Sequence, residues 1–392
     1  MRIKFKRIIF FIGSPLSQRD YDRFGIEVLQ KNGFEVEVWD FTPFLHPQVN
    51  RNIKLFDAIN WEKYSIFPTW NEARSAILKL QHNCFIICMV SYQIKSLTIY
   101  RALSKKKLRY CVFMANALPT ISNKKSMLYS LRRLKKIDLF KVITVLFSKI
   151  PYNYMGIRPA AINLAGGAMS TIYNYPVSKK TNILWLHTLD YDIYLKKCLN
   201  PVHHDKKMGV FLDEYIPFHP DYIFSGLSVP SSPEEYYPSI RKFFELIESK
   251  YGVHIVIAAH PISHYENHPD YFGGRPVVKG KTSELVQKSG FVISHMSTSI
   301  NFAVLFHKPV IFLTSDRLQQ SHMKPYIEQM ASFIGKKPIN LDINPLIIDW
   351  EKEISINENA YMNYKHSYIK RIGSEDLPFW QIFANFIKNY NK

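Results

Sequence analysis

The sequence predicts an α/β protein built on parallel sheets, and three apolar runs in its second half carry the prediction. Ile255–Ala259, Phe291–Ser294 and Val310–Leu313 have the length of strands, and helix-period segments separate them. Parallel strands need helical crossovers of this length, whereas hairpins need only short turns. Polar residues that follow such strands are expected at the carboxyl edge of the sheet, where open α/β sheets bind their ligands.

The beginning of the chain shows the same alternation. Residues 7–13 are a predicted strand, Gln18–Asn32 is a predicted amphipathic helix that ends at Gly33, and Phe34–Trp39 is a second strand. A strand–helix–strand start is typical of a doubly wound domain. The turn after the first strand, Gly13-Ser14-Pro15, is not a G-x-G-x-x-G fingerprint, so dinucleotide binding is not expected there.

Two domains are predicted for this chain of 392 residues, in which 47% hydrophobic and 15% aromatic content exclude general disorder. The best linker candidate is 216–238, because five prolines stand there among serines and glycine. We therefore place the first domain at 1–220 and the second at 221–373. A final helix is predicted within 374–392, capped at Ser374.

The formal net charge of +19 indicates an anionic partner. Residues 124–149 hold eight Lys or Arg and one acid, with Leu and Ile at helical spacing. This segment is either a helix on an anionic membrane surface or the solvated face of an ordinary helix. The first alternative makes a basic patch of Arg132, Arg133, Lys135 and Lys136. No nucleic-acid motif and no membrane-spanning run is visible, and four cysteines without a CxxC pair favour a cytosolic protein.

Polar candidates for ligand binding follow the predicted strands. His260-Pro261 follows the first run, and Ser297, Thr298 and Ser299 stand where a predicted helix, Ile300–His307, begins. Unpaired backbone N–H groups at a helix start attract anions, which predicts a phosphate site. The acid pair Asp213-Glu214 follows another short apolar run.

A His-Pro pair after one strand, followed by a Ser/Thr cluster between strand and helix, resembles the nucleotide half of GT-B glycosyltransferases. The likeness is to bacterial sialyltransferases, polysialyltransferases and Kdo transferases, which use CMP-activated sugars. It implies two Rossmann-like domains that face each other across a cleft, with the last helix returning to the first domain. It also implies that His260 contacts the donor phosphate and that Ser297, Thr298 and Ser299 hold phosphate or ribose.

The same resemblance suggests roles for two further groups. Asp213-Glu214 is similar to the Asp-Asp-Gly or Asp-Glu-Gly motif of those families, in which an acid is the catalytic base, although Tyr215 stands in place of Gly. Both acids remain candidates, and Asp213 is favoured because it is nearer the strand end. Thr282, Ser283 and Glu284 open a helix either as a cap or as a loop that touches the nucleotide.

The predicted function is transfer of an acidic sugar, a sialic-type nonulosonic acid or Kdo, from a CMP-activated donor to a capsule- or lipopolysaccharide-type acceptor. The acceptor would be a glycan or lipid-linked oligosaccharide at the inner face of the cytoplasmic membrane. No metal cofactor is expected, because helix-end amides and His260 would stabilise the leaving nucleotide. The alternatives are a CDP-polyol phosphotransferase, a UDP-sugar 2-epimerase-like enzyme and a non-catalytic nucleotide-binding scaffold.

Overall fold

A computed structural model describes residues 5–47, 59–116, 119, 150–171, 175–199, 202–220, 222 and 227–390. The chain divides into two compact units. The first unit comprises Met1–Ala117, Asn123–Leu189 and Lys370–Lys392, and the second comprises Leu118–Ser122 and Asp190–Ile369. The basic segment 124–149, with Arg132, Arg133, Lys135 and Lys136, lies outside the described residues. No helix in the described part of the chain is long and apolar enough to cross a membrane.

Each unit is built on one parallel sheet. The first sheet has the order β3-β2-β1-β4-β5-β6-β7, and the second has the order β10-β9-β8-β11-β12-β13. Every strand pairs in parallel with its neighbours. The strands are β1 Arg7–Ile12, β2 Glu35–Asp40, β3 Tyr64–Ile66, β4 Cys84–Cys88, β5 Arg109–Phe113, β6 Ile162–Ala165, β7 Asn182–Trp185, β8 Asp205–Leu212, β9 His254–Ala259, β10 Val277–Lys279, β11 Ser289–Ser294, β12 Val310–Thr314 and β13 Ile339–Asn340.

Helices connect these strands, as parallel pairing requires. Those of the described residues are Gln18–Arg23, Ile26–Lys31, Thr42–Leu45, Trp70–Lys79, Leu97–Lys105, Leu189–Cys198, Pro233–Tyr251, Thr282–Lys288, Ile300–Leu305, Asp316–Gln320, Lys324–Phe333, Trp350–Glu353, Glu358–Tyr364 and Phe379–Lys388. Short turns of 3-10 helix and one π-helical segment, Lys365–Ile369, complete the elements of the described residues.

Both faces of each sheet are covered by apolar side chains. In β1, Ile8 and Phe10 pack into one core cluster, whereas Ile9 and Phe11 pack into another. Successive side chains of a strand point to opposite faces, so the two clusters lie on opposite sides of the sheet. The second sheet is likewise covered on both faces. Burial on both faces explains why the strands are continuous apolar runs.

The division of the chain differs from the boundary at 220/221 that the sequence suggested. β8 pairs between β9 and β11 in the second sheet, and residues 190–220 already belong to the second unit. The proline-rich stretch is not a linker throughout, because Pro233 and Pro238 belong to the long helix Pro233–Tyr251. Proline is compatible with the first turn of a helix, where its missing N–H would have no partner, which accounts for Pro233, whereas Pro238 lies inside the helix. Sequence composition therefore misplaced the division.

The predicted helix Gln18–Asn32 is two helices, and the C-terminal helix is the reason. Gly25 breaks the segment with a φ of 55°, and the side chain of Trp380 packs against it, with Nε1 donating to the Arg23 carbonyl at 2.7 Å. Trp380 belongs to the helix Phe379–Lys388, which packs in a core cluster of the first unit. That helix starts after Pro378, not after Ser374 as predicted.

Replacement of Gly25 by alanine is expected to lower the thermal midpoint strongly. An added Cβ would lie 2.2 Å from Cδ1 of Trp380, and the backbone is in the left-handed region. Strain of about 1–2 kcal/mol then adds to an overpacking cost of about 1–3 kcal/mol. Gly33→Ala is the matched control, because Gly33 also has a positive φ but no atom within 4 Å. Equal losses of stability in the two variants would contradict the packing role of Gly25.

Candidate active site

The second sheet brings most of the predicted site residues to one edge. All its strands are parallel, so the residues that follow β10, β9, β8 and β11 lie side by side in that order. After β8 the chain continues to β9, which pairs on one side of β8. The later strand β11 pairs on the other side of β8. Such a reversal opens a crevice at the carboxyl ends of the two central strands. Asp213-Glu214 follows β8 there, and Ser294 ends β11.

Asp213 connects the ends of two strands. Its side chain is buried, with the residue 4% exposed. Oδ2 accepts the backbone N–H of His260 at 3.1 Å, and Oδ1 accepts the hydroxyl of Tyr265 at 2.9 Å and the N–H of Tyr215 at 3.0 Å. A buried carboxylate with three donors is stabilised in place. Asp213 therefore positions the loop that carries His260.

The backbone at Tyr215 has a conformation that favours glycine. Its φ is 52°, in the left-handed region, which is uncommon for a bulky residue. The turn after the acid pair therefore has a geometry that glycine would adopt freely. The N–H of Tyr215 contacts Asp213 as part of the same turn.

Glu214 contacts the neighbouring strand on the other side. Its Oε1 accepts the backbone N–H of Met296 at 2.6 Å and the hydroxyl of Ser294 at 3.4 Å. Burial raises the pKa of Glu214 to about 7, and the nearby charge of Asp213 also raises it. Burial raises the pKa of Asp213 as well, while its three donors oppose the shift. A carboxyl with a pKa near 7 exchanges protons at neutral pH, as a general base must. Of the two acids, Glu214 fits that task better.

His260 and Pro261 form a tight turn after β9. The carbonyl of His260 accepts the N–H of Ser263 at 2.9 Å and its hydroxyl at 2.7 Å. The ring Nδ1 accepts the N–H of Ile262 at 3.4 Å, so in the neutral ring Nε2 carries the proton. An imidazole N–H group is a type of donor that suits a phosphate oxygen.

A second histidine, His219, lies beside His260. It falls within 216–238, the stretch that the sequence predicted to be a linker. The ring centroid of His219 lies 5.0 Å from that of His260, with the planes at 71°. His219 also begins a His-Pro pair, and this repeated dipeptide was the only sequence signal for it. The proximity depends on the pairing of β8 with β9, which places the residues after both strands together.

The Ser/Thr cluster has a different local geometry from the one predicted. The helix that follows it, Ile300–Leu305, is short, and Ser299 makes no side-chain cap. The N–H groups of Ile300, Asn301 and Phe302 donate to the carbonyls of Ser297, Thr298 and Ser299, at 3.2, 3.3 and 3.0 Å. These amides are therefore engaged within the turn, and the expected phosphate site of unpaired helix-start amides was wrong in that respect. The hydroxyls remain the candidate donors, with Thr298 exposed.

Thr282, Ser283 and Glu284 follow the edge strand β10. They are the first residues of the helix Thr282–Lys288, and Lys281, not Thr282, occupies the cap position. The Glu284 carboxylate accepts from Lys288 at 2.9 Å, one helical turn later. A nucleotide contact by these residues stays a prediction.

A cavity of about 330 Å³ lies farther along the same edge, beside the ends of β11, β12 and β13. His295 and Tyr236 line it, and the imidazole contacts the Tyr236 hydroxyl at 3.0 Å and the Leu313 carbonyl at 2.8 Å. Burial lowers the pKa of His295 to about 4, so the ring is neutral at pH 7. His295 is therefore a structural residue of the Ser294–Ser299 turn. Across the described ranges, no group of three or more His, Cys, Asp or Glu residues is arranged to hold a metal ion.

Comparison with known proteins gives a fold and no close relative. No protein-family model and no curated protein matches the chain significantly. Among solved structures, the glycosyltransferase of kitacinnamycin aligns with 98% of this chain and 99% of its own at 10% identity, with a TM-score of 0.54. The calicheamicin glycosyltransferase CalG4 aligns over 93% and 92% at 9% identity, with a TM-score of 0.49. The UDP-GlcNAc 2-epimerase of Methanocaldococcus jannaschii, in complex with UDP-GlcNAc and UDP, aligns over 98% and 100% at 10% identity, with a TM-score of 0.47.

The likeness to the kitacinnamycin enzyme extends over both units. Of the three TM-scores, its value of 0.54 is the one high enough to support an argument about the fold. At 10% identity it concerns the fold alone. Together with two parallel sheets of seven and six strands, it confirms the α/β class and the GT-B architecture predicted from the sequence.

Proposed function

We propose that this protein is a glycosyltransferase whose donor site is the carboxyl edge of the second sheet. The observation that carries the proposal is the hydrogen-bonded arrangement at the β8–β11 reversal. Asp213 holds the His260 loop and Glu214 holds the turn at Met296, so an acid pair, an imidazole and a hydroxyl cluster converge. Ligands of open α/β sheets bind at such reversals.

Each group has a chemical task in sugar transfer. Glu214 takes the proton from the acceptor hydroxyl as its oxygen bonds to the anomeric carbon. The bond from that carbon to the nucleotide phosphate breaks, and Nε2–H of His260 donates to the phosphate oxygen that gains charge. Hydroxyls of Ser297 and Thr298 bind phosphate or ribose. Asp213 acts through His260 as a positioning residue.

The donor class rests on the resemblance of the His-Pro and Ser/Thr motifs to enzymes that use CMP-activated acidic sugars. We infer a nonulosonic acid or Kdo as the sugar and a surface-glycan or lipid-linked oligosaccharide as the acceptor. The net charge of +19 supports an anionic acceptor and recruitment to an anionic membrane surface. We also propose that transfer needs no divalent metal, because protein donors stabilise the leaving nucleotide.

The donor class is tested by thermal shift against CMP, CDP, UDP, UMP, GDP and dTDP, each with EDTA and with Mg²⁺. A ligand that binds the folded protein raises the midpoint of thermal unfolding, and the increase grows with the ratio of ligand concentration to Kd. At equal concentrations, the order of the shifts therefore gives the order of nucleotide affinities. We expect CMP to give the largest shift, equal with and without metal. His260→Ala is expected to weaken CMP binding about tenfold, through loss of one charge-assisted hydrogen bond.

His264→Ala is the matched control for that variant. His264 lies in the same loop, but its side chain is exposed and pairs with Glu266, so CMP affinity should stay at the wild-type value. A larger shift with UDP would exclude the CMP donor and favour a UDP-sugar enzyme. A shift that requires Mg²⁺ would contradict metal independence, and the absence of any shift would contradict the donor site itself.

A further inference from the structure

A pair of imidazole rings lies at the carboxyl ends of β8 and β9, and the proposed transfer uses one of them. The ring centroids of His219 and His260 are 5.0 Å apart, with the planes at 71°. Both residues are partly exposed, so a ligand has access to the pair. An imidazole has two ring nitrogens, so a ring that is held through one nitrogen can present the other to a ligand. The pair therefore suits two anionic groups that are close neighbours.

The backbone before His219 is tied to the loop that carries His260. One carboxylate, that of Asp213, accepts the N–H of Tyr215 at 3.0 Å and the N–H of His260 at 3.1 Å. Ile216, in the turn between Tyr215 and His219, is buried. Both imidazoles are thus positioned relative to the same buried carboxylate.

Aromatic side chains hold the same two loops together. The ring of Phe218, next to His219 in the chain, stacks with the rings of His268 and Tyr271, at centroid distances of 6.2 and 6.0 Å. His268 and Tyr271, which belong to the region after β9, stack on each other at 4.6 Å. Donors on anchored loops lose little freedom when a ligand binds, so their spacing can select among ligands.

The proposed donors carry two neighbouring anions at the reacting centre. In an ulosonic acid, the class that includes Kdo and the nonulosonic acids, the anomeric carbon bears a carboxylate as well as the bond to the nucleotide phosphate. One oxygen and the anomeric carbon separate the phosphorus atom from the carboxyl carbon. A nucleotide-activated aldose has hydrogen in place of that carboxylate. The carboxylate is therefore the group by which a protein can distinguish these donors from neutral nucleotide sugars.

We propose that His219 donates a hydrogen bond to the carboxylate of the donor sugar while His260 contacts the phosphate, so that His219 selects an ulosonic acid donor. The proposal rests on the transfer from a CMP-activated acidic sugar proposed above. The 5.0 Å between the ring centroids allows each ring its own anion, and a hydrogen bond from an imidazole to a carboxylate is charge-assisted. A site that hydrogen-bonds a substrate group discriminates against analogues without it, because its own polar group then loses a partner.

The test is a calorimetric titration of CMP, CMP-N-acetylneuraminic acid and CMP-Kdo in the absence of an acceptor. CMP reports the phosphate contact, and the two nucleotide sugars share the carboxylate but differ in the rest of the sugar. His219→Phe keeps a ring beside His260 and removes the N–H donor. We expect it to weaken each nucleotide sugar that binds the wild type about tenfold, while CMP affinity stays within about twofold. His260→Ala should weaken CMP and the nucleotide sugars by the same factor.

Two further variants separate a hydrogen bond from packing. His219→Gln is the conservative variant, because its amide N–H can still donate to a carboxylate, and it should recover part of the lost affinity. His264→Phe is the matched control, because it makes the same substitution at an exposed histidine of the loop after β9, where His264 pairs with Glu266. It should bind all three ligands as the wild type does.

Equal losses for CMP and the nucleotide sugars in His219→Phe would assign His219 to the phosphate or to packing, and unchanged affinities would exclude a contact. Either result overturns the proposal. When both nucleotide sugars bind the wild type, a loss for one alone would place the contact on another part of the sugar and overturn it too. Binding of CMP without binding of either nucleotide sugar would overturn this inference and leave the nucleotide site standing. Absence of CMP binding would contradict the proposed donor site itself, and this inference with it.

Discussion

Replacement of Glu214 by glutamine is expected to reduce turnover about 100- to 10,000-fold, the usual contribution of a general base. Glutamine keeps a carbonyl oxygen that accepts the N–H of Met296 and the hydroxyl of Ser294, so the turn at the end of β11 should persist. It cannot take a proton from an acceptor hydroxyl. CMP affinity should remain within about twofold of the wild-type value, since the change is almost isosteric. Steady-state kinetics and CMP titration measure the two effects separately.

The pH dependence provides an independent check on the same residue. Burial raises the pKa of Glu214 to about 7 from its usual 4.5, and a base must be deprotonated, so wild-type kcat/KM should fall as the pH drops below about 7. In the folded protein Glu214 binds a proton that the unfolded chain has lost between pH 4.5 and 7. Its contribution to stability therefore decreases as the pH rises through that window. Glutamine does not titrate, so it removes this loss of stability with rising pH. Glu214→Gln should therefore have a higher free energy of unfolding than wild type above pH 7.

Glu266→Gln is the control, because Glu266 is an exposed acid in the loop after β9 and pairs with His264. It should leave kcat and its pH profile unchanged. Wild-type turnover in Glu214→Gln would show that the base is elsewhere.

Asp213→Asn is expected to weaken CMP binding and to lower stability. In one orientation of the new asparagine amide, its NH₂ group faces the backbone N–H of His260. In the other orientation, the NH₂ group faces the backbone N–H of Tyr215. A buried donor without an acceptor costs about 1–3 kcal/mol. The His260 loop should therefore shift, with a lower thermal midpoint and a higher Kd for CMP.

Tyr265→Phe serves as the matched variant, because it removes one donor to Asp213 without adding an opposing one. Its effects on the midpoint and on CMP affinity should be smaller. Full CMP affinity in Asp213→Asn, together with loss of turnover, would contradict the positioning role. That outcome would return the role of base to Asp213, the acid that the sequence favoured.

Local sequence determined the elements of this fold with small errors at their ends. Strand β9 was expected at Ile255–Ala259 and runs from His254 to Ala259, because apolar runs between turn residues specify strands through short-range preferences. The positions of Asp213, His260 and Ser297 after strand ends follow from the same patterns. These predictions need no knowledge of which strands are neighbours.

Errors arose where a distant segment decided the local geometry. The helix predicted for Gln18–Asn32 is broken at Gly25 because Trp380, whose hydrogen bond to Arg23 spans 357 positions, packs there. The boundary at 220/221 was wrong because β8 pairs with strands that come later in the chain. Composition indicates where a chain turns, and pairing over long separations decides which unit a strand joins.

The sequence by itself determined the α/β class, the two sheets and the residue types at their carboxyl edges. Only the tertiary structure decided which of those residues contact one another and how burial changes their pKa values. The strand order places β8 between β9 and β11, so the Asp213 carboxylate holds the His260 loop while Glu214, in a buried setting, has a pKa near 7. It also places His219 beside His260. Burial and non-local pairing set these properties, and neither is encoded in the spacing of residues along the chain.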